Sequence, residues 1–127
     1  MSRTRMIAGC LLAFAAWAWA GTAMADPSVG KIVGLGATDC ARFTEELAAL
    51  KGAEREYIAW AQGFMSAILM TRPTGIDEGL NLSPEQMPLS SQVAFLKQQC
   101  ESAPDRSFSE AVEALYRRLR EIGKRGS

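Results

Sequence analysis

Cys40 and Cys100 carry the clearest chemistry in this chain. A thiol pair can move electrons or staple a fold. Redox pairs usually sit as Cys-x-x-Cys with a lowered thiol pKa, whereas these two stand 60 residues apart. That spacing points to a structural disulfide. Closing a loop of this length stabilises a fold by about 4 kcal/mol in the chain-entropy picture. Asp77 and Glu78 are adjacent carboxylates, and a carboxylate pair can do acid–base work when its surroundings push the two pKa values apart. In a loop of this composition they are expected to serve solvation instead. Ser66, Ser83, Ser90 and Ser91 have no histidine to act as their base, because the chain contains none, which also removes the commonest zinc ligand. No catalytic residue, metal ligand or cofactor is therefore assigned, and the chain is not expected to be an enzyme.

The compartment follows from the N-terminus. Arg3 and Arg5 precede an apolar run over residues 6–20, and Ala23-Met24-Ala25 places small residues before a cleavage point at Asp26. This is the pattern of a cleaved export signal, so residues 1–25 are read as a leader and the protein as periplasmic or secreted, where disulfides persist. Two other readings stay open. Residues 6–25 are long enough to span a bilayer uncleaved, and Ile7-Ala8-Gly9-Cys10 resembles a lipid-attachment box, although it leaves the long apolar run after the cysteine without a purpose. Without residues 1–25, which include Arg3 and Arg5, the remaining 102 residues hold 12 basic and 14 acidic side chains. One domain fits that length, and the slight acidic excess speaks against nucleic acid as a partner. No stable membrane insertion is expected after cleavage.

Four helices must position these side chains. Residues 26–38, with Gly30, Gly34 and Gly36, read as an irregular or extended arm. A first helix starts at Thr38 or Asp39 as cap and runs to 51, with Gly52 as its stop; Cys40, Phe43, Leu47 and Leu50 share one face. The second, over 54–71, is the most apolar. Tyr57, Trp60, Phe64 and Ile68 line one face, and Ala59, Gly63, Ser66 and Met70 form a line of mostly small residues against which a neighbouring helix could pack closely. A helix apolar nearly all round is normally buried on several sides, so this one is expected at the centre. A third helix spans 89–101, with Leu89, Val93, Leu96 and Cys100 on one stripe. The fourth opens on a capping box, Ser107-Phe-Ser-Glu110, and carries Phe108, Ala111, Val112, Leu115, Leu119 and Ile122 inward. The fold class is thus all-α: a four-helix domain over 39–123 with a tail at 124–127, and one disulfide joining the first helix to the third.

The long connection at 73–88 is the expected place of recognition, because long loops in compact helical domains tend to be functional. Ile76, Asp77, Leu80 and Leu82 are its candidate partner-binding residues. On this reading their replacement by alanine weakens binding and hardly changes stability. The basic cluster Arg117, Arg118, Arg120, Lys124 and Arg125 could meet anionic lipid or an acidic partner, but it also suits the end of a helix dipole as a solvated face.

Gly36-x-x-x-Cys40-x-x-Phe43, Tyr57-x-x-Trp60-x-x-Gly63-Phe64-x-Ser66-Ala67, Cys100-x-x-x-Pro104 and Phe108-x-x-Ala111-Val112-x-x-Leu115 together resemble a broad group of small exported proteobacterial proteins with an all-helical, single-disulfide plan. The group is similar in plan to periplasmic acid-stress chaperones of the HdeA/HdeB type and to periplasmic immunity proteins that neutralise type VI secretion toxins. Many members have Gly-Tyr where this chain has Gly63-Phe64, and an aromatic residue in place of Gln99; immunity proteins usually carry further cysteines. The resemblance makes Tyr57, Trp60, Gly63 and Phe64 a core signature. It implies a non-enzymatic, chaperone-like protein that binds another protein as client, or alternatively an immunity protein for a toxin or an accessory subunit of an envelope complex.

Overall fold

The computed structural model describes residues 30–126; the leader read at 1–25, with Cys10 and the cleavage point, lies outside them. A 3-10 turn at Gly34–Ala37 is followed by α1 (Cys40–Ala49), α2 (Ala53–Met70), α3 (Leu89–Ser102) and α4 (Phe108–Gly126). The architecture is all-α. Among the described residues the one strand-like pairing is a bridge between Asp39 and Ser107.

Local chemistry explains most boundaries. Asp39, in extended backbone, caps α1 by accepting the amide of Arg42 at 2.7 Å. Ser107 and Glu110 form the expected reciprocal box: the Ser107 amide donates to Glu110 Oε2 at 2.9 Å, and the Glu110 amide donates to Ser107 Oγ at 3.4 Å. Two boundaries differ from expectation. α1 stops at Ala49, and Gly52 at φ +94° caps the start of α2 instead of ending α1. The chain must reverse within residues 50–52, and a left-handed residue achieves this cheaply only as glycine. At the other end α4 continues to Gly126, so the segment read as a tail is mostly helix.

The glycine arm also differs from its reading. Its 3-10 turn packs against α2 and α4, and Gly36 is buried face-on to Trp60, where a Cβ would overlap the indole ring. That glycine is required by a close approach, and residues 34–37 belong to the domain, while residues 30–33 are irregular and exposed.

The largest correction concerns the centre. α4 packs closely against every other helix and the 3-10 turn, whereas α2 packs on α1, α4 and the turn and meets α3 more loosely, where Lys97 pairs with Glu54 at 3.1 Å. Its inward residues Phe108, Ala111, Val112, Leu115, Tyr116 and Leu119 are all buried. α2 buries Tyr57, Ile58, Ala61 and Met65, leaves Trp60, Phe64, Ile68 and Leu69 half-buried, and exposes Ala59, Gly63, Ser66 and Met70. No helix comes close to that small-residue line; nothing lies within 4 Å of where a Cβ on Gly63 would sit. Gly63 is accordingly no part of the core, unlike its signature partner Tyr57.

The disulfide is formed between Cys40 at the start of α1 and Cys100 near the end of α3, with Cα atoms 4.7 Å apart. Three backbone hydrogen bonds reinforce it. The amides of Cys40 and Ala41 donate to the carbonyls of Arg106 and Pro104 at 2.7 and 3.0 Å, and the Phe108 amide donates to Thr38 at 2.8 Å. First-turn amides of α1, which a helix cannot satisfy internally, are thus taken up by the connection between α3 and α4. Phe43, Tyr57 and Phe108 pack ring on ring beside this joint, at centroid distances of 4.7–4.9 Å.

Candidate interaction surface

Residues 71–88 leave α2 at Thr71 and enter α3 after Pro88. The first half makes two turns in succession, with the Ile76 amide donating to Pro73 and the Leu80 amide to Asp77, each at 3.0 Å. Gly75 and Gly79 take φ values of +81° and +73°, and Asp77 between them takes +59°. Asp77 is the one non-glycine residue with positive φ among the described residues; Asp and Asn are the side chains that tolerate this region best.

The Asp77 carboxylate points inward, with its side chain 5% exposed. Its Oδ2 accepts from Arg72 Nε at 3.0 Å and from the Tyr116 hydroxyl at 2.9 Å, while Oδ1 accepts from Arg120 Nε. Arg72 closes α2, its guanidinium standing 5.7 Å from the centre of the Tyr116 ring. Tyr116 and Arg120 lie one turn apart on α4. Burial pushes the Asp77 pKa up, but the hydrogen bonds from Arg120 and Tyr116 and the charge of Arg120 outweigh it, and the carboxyl titrates below its ordinary range. Burial, and then the bond to Asp77, raise the Tyr116 hydroxyl. One turn further along α4, Leu80 Cδ1 lies 3.2 Å from where a Cβ on Gly123 would sit, so a small residue leaves room for the loop's apolar side chain.

The second half of the loop is held by α3. Gln92 is buried, and its amide nitrogen donates to the carbonyls of Leu82 and Met87 at 3.0 and 3.1 Å. Met87 is buried and Leu82 packs on the core. Ser83-Pro84-Glu85-Gln86 makes a single turn that the Met87 amide closes on Pro84 at 3.0 Å.

These placements divide the four candidate residues. Ile76 is exposed. Asp77, expected as a solvated loop carboxylate, is a structural anchor, and Leu80 and Leu82 pack against the core. Replacing all four by alanine would therefore destabilise the fold, contrary to the sequence-based expectation. Glu78 stays exposed beside Asp77, and shallow recesses of about 290 and 220 Å³ flank the pair. Most of the basic cluster is neutralised in place: Arg117 by Glu113, Arg118 and Arg125 by Glu121, and Arg120 by Asp77. The solvated-face reading describes these arginines best.

Sequence reasoning missed Arg72, Gln92, Tyr116 and Gly123, and took Arg120 only as one of a basic cluster. Two of them carried a usable signal. Gln92 falls inside the apolar stripe of α3, between Leu89 and Leu96, and a polar residue in such a stripe needs a buried partner. Tyr116 falls between Val112 and Leu119 on the inward arc of α4, and a buried tyrosine hydroxyl usually finds an acceptor.

Among the described residues, no three His, Cys, Asp or Glu side chains come together in a way that could hold a metal ion, and no helix is long and apolar enough to cross a membrane. Compared with protein-family models, with curated proteins and with solved structures, the chain matches none of them; its resemblance to the exported single-disulfide proteins rests on the residues quoted above.

Proposed function

We propose that this chain is a non-enzymatic, chaperone-like protein of the periplasm that meets another protein through residues 71–88 and the flanking ends of α2 and α3. One observation carries the reading. Among the described residues six large apolar side chains are exposed, and three of them fall in this region: Met70 at the end of α2 (84% exposed), Ile76 in the loop and Leu89 at the start of α3. Single exposed apolar residues are ordinary, but these mark both edges and the crest of one loop. Asp77 supports a non-enzymatic role as well, because a carboxylate held ionised by three donors is poorly suited to passing protons near neutral pH.

The test is suppression of aggregation of a client by the whole protein, followed by light scattering at pH 7 and at about pH 2–3, where carboxylates lose their charge. Replacing Met70, Ile76 and Leu89 together by serine should remove protection while leaving the Tm within about a degree or two, as surface changes usually do. Absence of protection by the wild type at both pH values sinks the chaperone reading. The anchoring of the loop by Asp77 and Gln92 favours a second reading, since a preformed surface suits one fixed partner better than many clients. On that reading the chain is an immunity protein, and pull-down with a periplasmic toxin should recover a stoichiometric complex that the triple-serine variant loses.

A further inference from the structure

We infer that residues 72–80 form a cover that opens on its own, and that the Asp77 carboxylate is the catch holding it against α4. The inference rests on the reading of this region as the interaction surface, and it adds that opening would extend that surface with Leu69 and Leu80.

The argument starts from what holds this segment. Its two turn hydrogen bonds close within the segment itself. Among its links to the helices are the Asp77 bonds to Tyr116 and Arg120, the Arg72 amide on the Leu69 carbonyl with the Arg72 guanidinium beside the Tyr116 ring, and the packing of Leu80 on the core at Gly123. Gly75 and Gly79 flank Asp77 in positive-φ backbone, with no atom within 4 Å of a Cβ position on either, and glycine is the residue whose backbone has the widest conformational freedom. The carboxylate faces Arg72 from α2, Tyr116 and Arg120 from α4, and shares its recess with Lys124 and Glu78. If Asp77 loses its charge, the two guanidinium groups are left facing each other across a neutral group, and attraction is replaced by repulsion. The four helices do not need the catch. The disulfide, the backbone bonds joining residues 38–41 to residues 104–108 and the aromatic cluster gather around Phe108, about 12 Å along α4 from Tyr116. Opening would free Leu80 from Gly123 and bare the end of α2 at Leu69, beside the exposed Met70 and Ile76.

Hydrogen exchange read by mass spectrometry on the full protein tests the catch. Asp77→Asn keeps the shape and tolerates the same backbone; it removes the charge and turns one acceptor oxygen into an amide donor that faces the same donors. It should speed exchange at the Ile76 and Leu80 amides by about ten- to a hundredfold, the scale of a lost charge-assisted hydrogen bond, with α1, α3 and α4 unchanged. Glu78→Gln, a matched neighbour, should change nothing. In the wild type, acidification below the ordinary carboxylate range should release residues 73–81 before the helices, after correction for intrinsic exchange. The catch is overturned if the Asn variant protects the segment as the wild type does, or if segment and helices lose protection together. Should the Asn variant not fold, the wild-type titration decides by the same criterion. If the segment opens as stated but the Met70, Ile76 and Leu89 serine variant protects clients fully, the catch stands and the proposed interaction surface falls.

Discussion

The two ends of α4 hold their neighbours by different physics. Around Phe108, contacts are covalent, backbone-to-backbone and apolar: the Cys40–Cys100 bond, three main-chain hydrogen bonds and three packed rings. None of these depends on ionisation. Around Tyr116 and Arg120, the contacts to the loop centre on one carboxylate. The covalent, main-chain and ring contacts of the first arrangement do not themselves titrate, although Glu46 on Tyr57 and Glu110 on Ser107 border them with lowered pKa values. The loop's closure centres on a carboxylate, so one helix joins a fixed half of the molecule to a half whose closure is conditional. Exposed apolar side chains at Met70 and Ile76 lie on the conditional side, while Leu89 at the start of α3 stands beside Ile58, Ala59 and Gln62 of α2.

The comparison breaks most visibly at the disulfide. Replacing Cys40 and Cys100 by serine should cost about 4 kcal/mol, the loop-closure entropy returned to the unfolded chain. Against a typical total of about 5–15 kcal/mol, the loss should be plain in a urea melt, and it should be the same at pH 7 and pH 3. A pH-dependent loss would show that charge reaches the joint.

On the loop side, Gln92→Leu comes next. It keeps the volume but leaves the Leu82 and Met87 carbonyls without their donor, at a cost of about 2 kcal/mol. Gln92 carries no charge, so this loss should not vary with pH, and thermal melts at two pH values check it. Asp77→Asn should cost less, about 1–2 kcal/mol at pH 7, because the partner guanidinium groups are about a third exposed and solvent screens them. Its pH dependence has a definite sign. The folded pKa is lowered, so the wild-type contribution is complete above the unfolded value of about 4 and is lost as pH falls through the folded pKa. The difference between wild type and variant should therefore shrink toward zero below about pH 4. A difference that persists in acid would mean that shape, and not charge, makes the Asp77 contact.

How much of this was legible follows the range of the interactions. Asp39, Ser107 with Glu110, and the inward positions of Cys40 and Cys100 were readable because caps and helical periodicity are local. The catch was not: Asp77 meets partners 39 and 43 residues away, and nothing near it in sequence announces them. Nor was the central helix. α2 is the more apolar, but its apolar residues are spread round the cylinder and its small line ends in water. α4 carries more charge, yet divides cleanly into two faces, and that division lets one side be buried completely. Segregation of apolar residues, more than their number, decides which helix lies innermost. Gly36 was read as freedom in an arm, when its lack of a side chain is what lets the chain lie flat on Trp60.

Gly63 offers a reference point between the two regions. It lies on the outer face of α2, midway between Tyr57 at the fixed end and Met70 beside the loop, with open space where a side chain would go. Alanine there removes the helix penalty of glycine without touching either region, so Gly63→Ala should stabilise the protein by about 0.5–1 kcal/mol. Because the gain comes from backbone freedom in the unfolded chain, it should be equal at pH 7 and pH 3, unlike the effect at Asp77. Thermal melts of the variant at both pH values read this directly. A loss of stability in place of a gain, growing with protein concentration, would show that another copy of the chain packs against this face and that its exposure belongs to the single chain alone.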